Sequence, residues 1–207
     1  MKRSAFTLVE MTIVLAIIAI LVAMALPVFT TAYNQSKTHR TRAIIAKIDS
    51  ITWAKWDAYN TRPLPIRILP GTSPQNAANI RLAALTELKR LELPETIAEV
   101  TTAPTILVRP AISKQYLRRA SPNWTTKNES AECLYLIVAS TWDNDHSALD
   151  WFAPSEIDDV DGDGMNEILD SWGHPIEASR RIDGVLVFSK AGDVSDAADD
   201  ITSVLLQ

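Results

Sequence analysis

A single cysteine, Cys133, means that no intrachain disulfide can form. In an exported protein that absence removes a common stabiliser and leaves bound metal as a substitute. Cys133 sits in the apolar run Cys133-Leu134-Tyr135-Leu136-Ile137-Val138, the setting of a buried, inert thiol. Histidine is nearly as scarce, with only His39, His146 and His174. None belongs to an HExxH pair, and neither a nucleophile elbow nor a phosphate-cradling glycine loop is present. Catalysis finds little support, and the chain reads as non-enzymatic. His146, between Asp143 and Asp145, offers one imidazole among short carboxylates, a weak ligand set better read as a surface turn. No internal repeat or low-complexity tract is visible. The six tryptophans read as packing residues, with Trp53 and Trp56 expected to face a globular domain.

The net charge of −5 is unevenly placed. Residues 1–142 carry 17 Lys and Arg against 9 Asp and Glu, whereas residues 143–207 carry 3 against 16. The acidic block argues against nucleic acid and for cations or a solvated surface. The basic residues of the first part are scattered without an aromatic face, so no nucleic-acid partner is expected there. Once an N-terminal apolar run is set aside, the 207 residues leave one modest globular domain and no second core.

That apolar run is the most informative feature of the chain. Residues 6–29, FTLVEMTIVLAIIAILVAMALPVF, hold one acidic residue, Glu10, near their start. About 20 apolar residues suffice to span a bilayer as a helix, and residues 11–29 supply that length with only Thr12 as a mild polar interruption. A carboxylate within a membrane span costs roughly 2.5–3.5 kcal/mol at the helix centre on insertion scales, and the segment itself contains no Lys, Arg or His. Cleavage just before Phe6 would create an amine able to meet the Glu10 carboxylate of a neighbouring subunit. Two plainer readings stay open. One is an ordinary secretory signal cut after Ala23-Met24-Ala25, and the other is an uncleaved anchor on an exported domain. Charge alone does not orient the segment, because Lys2 and Arg3 flank one end while Lys37, Arg40, Arg42 and Lys47 follow the other.

The basic leader Met1-Lys2-Arg3-Ser4-Ala5, the sequence Phe6-Thr7-Leu8-Val9-Glu10 and the later Pro27 resemble the N-terminus of type IV pilins and type II secretion pseudopilins. The family normally has Gly before the cut; here Ala5, also small, stands there. The resemblance covers about the first quarter of the chain. It implies removal of residues 1–5 by a prepilin peptidase, N-methylation of Phe6, and assembly through Phe6 and Glu10 with other pilin-like subunits. It further implies an inner-membrane, single-pass precursor with its globular domain on the periplasmic side, and a pseudopilus or pilus-like filament serving type II secretion. The alternative is a membrane-anchored, calcium-stabilised exported binding domain or enzyme that never polymerises.

The expected fold is α+β and pilin-like, with a leader at 1–5, a long helix over 6–59 whose part at 6–29 crosses the membrane, and a globular domain over 60–207. No Gly or Pro occurs from residue 30 to 59, and Ile44, Ile45, Ile48 and Ile51 recur at near-helical spacing. Pro27 is expected to kink rather than end the helix. Pro63, Pro65, Pro70, Gly71 and Pro74 place a loop over residues 60–74. Further helices are expected over 77–93, 112–119 and 129–142, a short strand over 101–108, and hairpin strands over 175–179 and 184–190 around Asp183-Gly184.

The best local motif is Asp159-Val160-Asp161-Gly162-Asp163-Gly164-Met165-Asn166-Glu167-Ile168-Leu169-Asp170. Calcium takes six to eight hard oxygen ligands, and alternate carboxylates on a tight turn can aim at one centre. Asp159, Asp161 and Asp163 fall at positions 1, 3 and 5 of an EF-type loop, with Gly164 at the turn. Met165 would give its carbonyl, Glu167 would bind directly or through water, and Asp170 would stand where a bidentate Glu is usual. An acidic, glycine-bearing turn without an ion is the plainer reading. Asp170-Ser171-Trp172-Gly173-His174-Pro175 and the segments around Asp193, Asp199 and Asp200 are similar to the C-terminal region of major pseudopilins. That likeness implies Asp193, Asp199 and Asp200 as a second set of candidate calcium ligands.

Overall fold

The computed structural model describes residues 8–143, 146–192 and 199–203. The elements are five helices, α1 (Leu8–Ala58), α2 (Pro74–Glu92), α3 (Ile97–Thr101), α4 (Ala111–Arg119) and α5 (Glu129–Ala139), followed by short strands. The strands are β1 (Trp142–Asp143), β2 (His146–Ser147), β3 (Ile157–Asp158), β4 (Glu167–Ile168), β5 (Glu177–Arg180), β6 (Val185–Ser189) and β7 (Ile201–Thr202). A long N-terminal apolar helix thus precedes a region of helices and small antiparallel sheets, the α+β order expected. The chain divides into two compact units, Met1–His39 and Arg40–Gln207.

In the first unit α1 is apolar and exposed, with Leu8, Val9, Met11, Ile13, Leu15 and Phe29 among the large side chains open to solvent. It is the one described helix long and apolar enough to cross a membrane. An apolar surface of this extent calls for lipid or protein cover. Thr12 turns its hydroxyl back onto the Val9 carbonyl at 2.9 Å, so its polar group needs no outside partner. The helix continues through Pro27, which forfeits one backbone hydrogen bond without ending the element.

In the second unit the same helix turns amphipathic. Ile44, Ile45, Ile48 and Ile51 are buried against Leu134 and Val138 of α5, Phe152, Ile168, Ile176, Val187 and Ile201. A second cluster gathers Tyr59, Leu88, Leu93, Val100, Tyr116 and Met165 around Cys133, Leu136 and Ile137 of α5. Helix α5 feeds both clusters because its sequence is apolar on every side, and such a helix is buried on every side. Cys133 is a buried free thiol, as its apolar surroundings predict. Ser73 caps α2 by accepting from Asn76 N at 3.4 Å, and Pro74 follows it at the first helical turn, where a missing N–H costs nothing.

Strands β5 and β6 form the expected hairpin, with Arg180 opposite Val185, and β6 also pairs β7 through Ser189 and Ile201. No strand forms over 101–108; Thr101 instead closes α3. The reason is Glu87, whose carboxylate accepts the N–H groups of Thr105, Ile106 and Leu107 at 2.6–3.2 Å. Those donors are satisfied by a side chain, so no partner strand is needed. The tryptophans divide. Trp56, Trp124 and Trp172 pack against the two clusters, whereas Trp53, Trp142 and Trp151 are exposed. Trp53 follows the buried Ile51 and Thr52 on α1 but lies off the buried face.

Candidate functional site

The β3–β4 connection carries the acidic motif, and its shape comes from its own side chains. Asp159 accepts from Gly162 N at 2.7 Å and from Gly164 N at 3.0 Å, folding the chain back on itself. Both glycines have positive φ, +79° and +89°. Gly164 is required twice over, because a Cβ there would lie 2.8 Å from the Ser121 hydroxyl. That hydroxyl donates to the Asp163 carbonyl at 2.6 Å. The Asp163 carboxylate accepts from Thr125 N at 2.6 Å and Met165 N at 2.9 Å. The segment before α5 therefore buttresses the loop from one side.

Carboxylates converge beneath this loop in two groups that share Asp161. In one, Glu132 of α5, Asp161 and Glu167 of β4 bring ligand atoms within 4.8 Å of one another; in the other, Asp159, Asp161 and Asp163 do the same. Glu132 and Glu167 are fully buried, Asp163 nearly so, and Asp161 is half-buried. Glu167 accepts from Asn128 Nδ2 and from Val160 N, both at 3.0 Å. Glu132 Oε2 accepts from the Trp124 indole N–H. Glu132 Oε1 and both carboxylate oxygens of Asp161 are shielded from solvent and have no hydrogen-bond partner.

Burial and the neighbouring Asp163, Asp161 and Glu167 push the Glu132 carboxyl up to about 8, against the opposing pull of the Trp124 hydrogen bond. Glu167 is raised by burial first, then by Asp161 and Asp159, while its bonds from Val160 and Asn128 act the other way. Concentrated negative charge with orphaned buried oxygens is costly, and a cation relieves both the repulsion and the missing contacts. The donors are all hard oxygens, which suit calcium or magnesium rather than thiolate- or imidazole-seeking metals. These buried acidic clusters could hold a metal ion.

Four of the residues singled out in the sequence, Asp159, Asp161, Asp163 and Glu167, come together here. Met165 is buried, with its thioether sulfur 3.2 Å from Ser121 N. Asp170 belongs to neither described group. Its Oδ1 accepts from Trp172 N at 2.8 Å and His174 N at 2.9 Å, and its Oδ2 from the Ser189 hydroxyl. Asp199 is exposed and Asp200 half-buried just before β7, while Asp193 lies outside the described residues. Glu132 was not among the residues singled out; its signal is the second of two carboxylates in the first turn of α5, directly before the apolar run that starts at Cys133.

Glu10 stands in the first turn of α1; Ala5 and Phe6 lie outside the described residues. Residues 1–26 match the prokaryotic N-terminal methylation motif. No curated protein and no solved structure matches the chain. The motif implies a pilin-like subunit processed by a prepilin peptidase and assembled with pilin-like subunits, a structural rather than catalytic role. Together with the single N-terminal apolar helix it suggests inner-membrane anchoring before assembly.

Proposed function

We propose that this chain is a structural subunit of a pseudopilus or type IV pilus-like filament, serving type II protein secretion. Residues 1–5 are the leader, residues 6–29 hold the precursor in the inner membrane, and the domain over 60–207 stands on the periplasmic side. Cleavage between Ala5 and Phe6 frees the amine of Phe6, which meets Glu10 of a neighbouring subunit in the filament core. The methylation motif at residues 1–26 carries this reading, and the exposed apolar surface of α1 from Leu8 onward supports it. Buried among the helices of other subunits, that surface gains the cover that lipid gives it in the precursor.

The acidic centre takes calcium in this reading, with Asp159, Asp161, Asp163 and Glu167 as the loop's carboxylates and the Met165 carbonyl beside them. All-oxygen donors on a flexible turn favour calcium over magnesium, which demands stricter octahedral geometry. With no disulfide available, the ion is a stabiliser of the exported domain. Mass analysis of the mature protein tests the assembly reading. A first residue of Phe6 carrying a methyl group is expected; a first residue of Leu26 would establish an ordinary cleaved signal and end the filament proposal.

A further inference from the structure

Two overlapping carboxylate groups leave open which one holds the ion, and their hydrogen bonds differ. We propose that the primary divalent-cation centre is the buried set Glu132, Asp161 and Glu167, so that the ion ties helix α5 to the β3–β4 loop instead of sitting within the loop alone. This inference rests on the reading that the acidic centre binds a divalent cation.

Carboxylate oxygens without a partner distinguish the two sets. In the loop-only set, each oxygen of Asp159 and Asp163 already accepts a backbone N–H, from Gly162, Gly164, Thr125 or Met165. Those four bonds give the turn its shape with no ion required. Both sets contain Asp161, whose Oδ1 and Oδ2 accept from nothing; the deeper set adds Glu132 Oε1, which also accepts from nothing, and all three oxygens are shielded from water. Glu132 is fully buried on an 11-residue helix whose other side chains are mostly apolar. A buried carboxylate oxygen without a donor is destabilising, so an ion there replaces a loss with a gain. The remaining oxygens of the set are steadied from outside, Glu132 Oε2 by Trp124 and Glu167 by Asn128 and Val160. Outer partners of this kind orient ligands in metal sites generally.

Size and charge agree. No pair of ligand atoms in the set is separated by more than 4.8 Å, and two calcium–oxygen distances of about 2.4 Å span the same length. Asp161 can bind through both oxygens and Glu132 through Oε1, while Glu167, each of whose oxygens already accepts one bond, adds a second lone pair. Asp159 and Asp163 then act as positioning residues for Asp161. Because α5 contributes to both hydrophobic clusters, ion uptake at Glu132 stabilises the core of the domain and not one surface turn.

The test uses the full chain in detergent, stripped with chelator and titrated with calcium by calorimetry, with terbium as a luminescent probe excited through tryptophan. Glu132→Gln and Asp161→Asn should each weaken calcium binding at least about tenfold to a hundredfold, the range that even outer-shell changes command. Melting of Glu132→Gln in chelator should be unchanged or higher, because the substitution removes buried repulsion while keeping shape; this shows that lost binding is not lost folding. Trp124→Phe, which removes the indole donor to Glu132, should weaken calcium binding and lower sensitised terbium emission. If Asp159→Asn removes binding and Glu132→Gln does not, the ion sits in the loop, and this inference falls while the calcium reading stands. Calcium affinity and terbium emission both unchanged in Trp124→Phe would also overturn the location. No calcium uptake by the wild-type chain would end both.

Discussion

The Ser189 hydroxyl donates to Asp170 Oδ2 at 2.6 Å, joining β6 to the turn two residues past β4 in a region closed to solvent. Asp170 Oδ1 meanwhile holds the N–H groups of Trp172 and His174, so one carboxylate organises the turn that leads into β5. Gly173 in that turn has φ +88°. His174 Nδ1 lies 2.7 Å from the Ala191 carbonyl, which closes the same turn against the end of β6. Asp170 is thus a structural pin that accepts from three protein donors.

Asp170→Ala should destabilise the domain by about 2–4 kcal/mol, because it strands two backbone donors and a buried hydroxyl. Calcium affinity of the remaining folded protein should be unchanged. Urea denaturation in chelator and calorimetry in calcium measure the two effects separately. A variant of normal stability that no longer binds calcium would restore Asp170 to the ligand set that its place at the twelfth position of the motif suggests.

Glu10→Ala tests assembly apart from insertion. A carboxylate in a membrane segment costs roughly 2.5–3.5 kcal/mol near the helix centre and less toward the end, so the variant should enter the membrane as well as wild type or better. In a filament core of low dielectric, however, it leaves the amine of a neighbouring Phe6 as an uncompensated charge. Site-directed crosslinking between subunits should therefore drop sharply. Wild-type crosslinking by Glu10→Ala would show that the carboxylate does not direct subunit addition.

Where α1 ends, Glu92 at the close of α2 accepts from the Tyr59 hydroxyl at 3.0 Å and from Arg62 at 2.7 Å. Glu92 is nearly buried while Arg62 is half open to water, so screening limits the ionic share. Burial, and after it Glu92, raise the Tyr59 hydroxyl above its ordinary range, which keeps it a neutral donor. Glu92→Ala should cost about 2–3 kcal/mol. A double-mutant cycle with Tyr59→Phe should give a coupling of about 1–2 kcal/mol. Additive losses would mean that the two groups do not act together.

What the sequence made legible follows from which interactions are local. The α1 pattern is a run of apolar residues and a stripe of isoleucines, written in consecutive residues. Asp159, Asp161 and Asp163 were legible for the same reason. The second helix, expected from 77, instead opens at Pro74 behind its Ser73 cap. The strand expected over 101–108 failed because Glu87, on a different element, takes its backbone donors. Glu132 was missed because a Glu in the first turn of a helix reads as an ordinary N-terminal charge until Asp161 and Glu167 are folded against it. Trp53 reads as a core residue by type, yet its position around α1 decides its exposure. Long-range placement of single side chains is what periodicity cannot carry.

The two loop glycines offer the sharpest check on the geometry beneath that site. Gly162 and Gly164 both adopt positive φ, and an alanine there costs about 1–2 kcal/mol in backbone strain alone. Around Gly162 nothing lies within 4 Å of an added Cβ, so Gly162→Ala should stop at that cost. At Gly164 the added methyl would meet the Ser121 hydroxyl at 2.8 Å. Ser121 would have to move, breaking its bond to the Asp163 carbonyl and loosening the hold on the whole loop. Gly164→Ala should therefore lose about 1–2 kcal/mol beyond Gly162→Ala and should also weaken calcium binding. The paired variant Gly164→Ala with Ser121→Ala, which removes the obstructing oxygen, should recover part of the difference. Chemical denaturation of the four proteins, wild type included, reads this directly. Equal losses at the two glycines would mean that Ser121 does not pack against the loop as described.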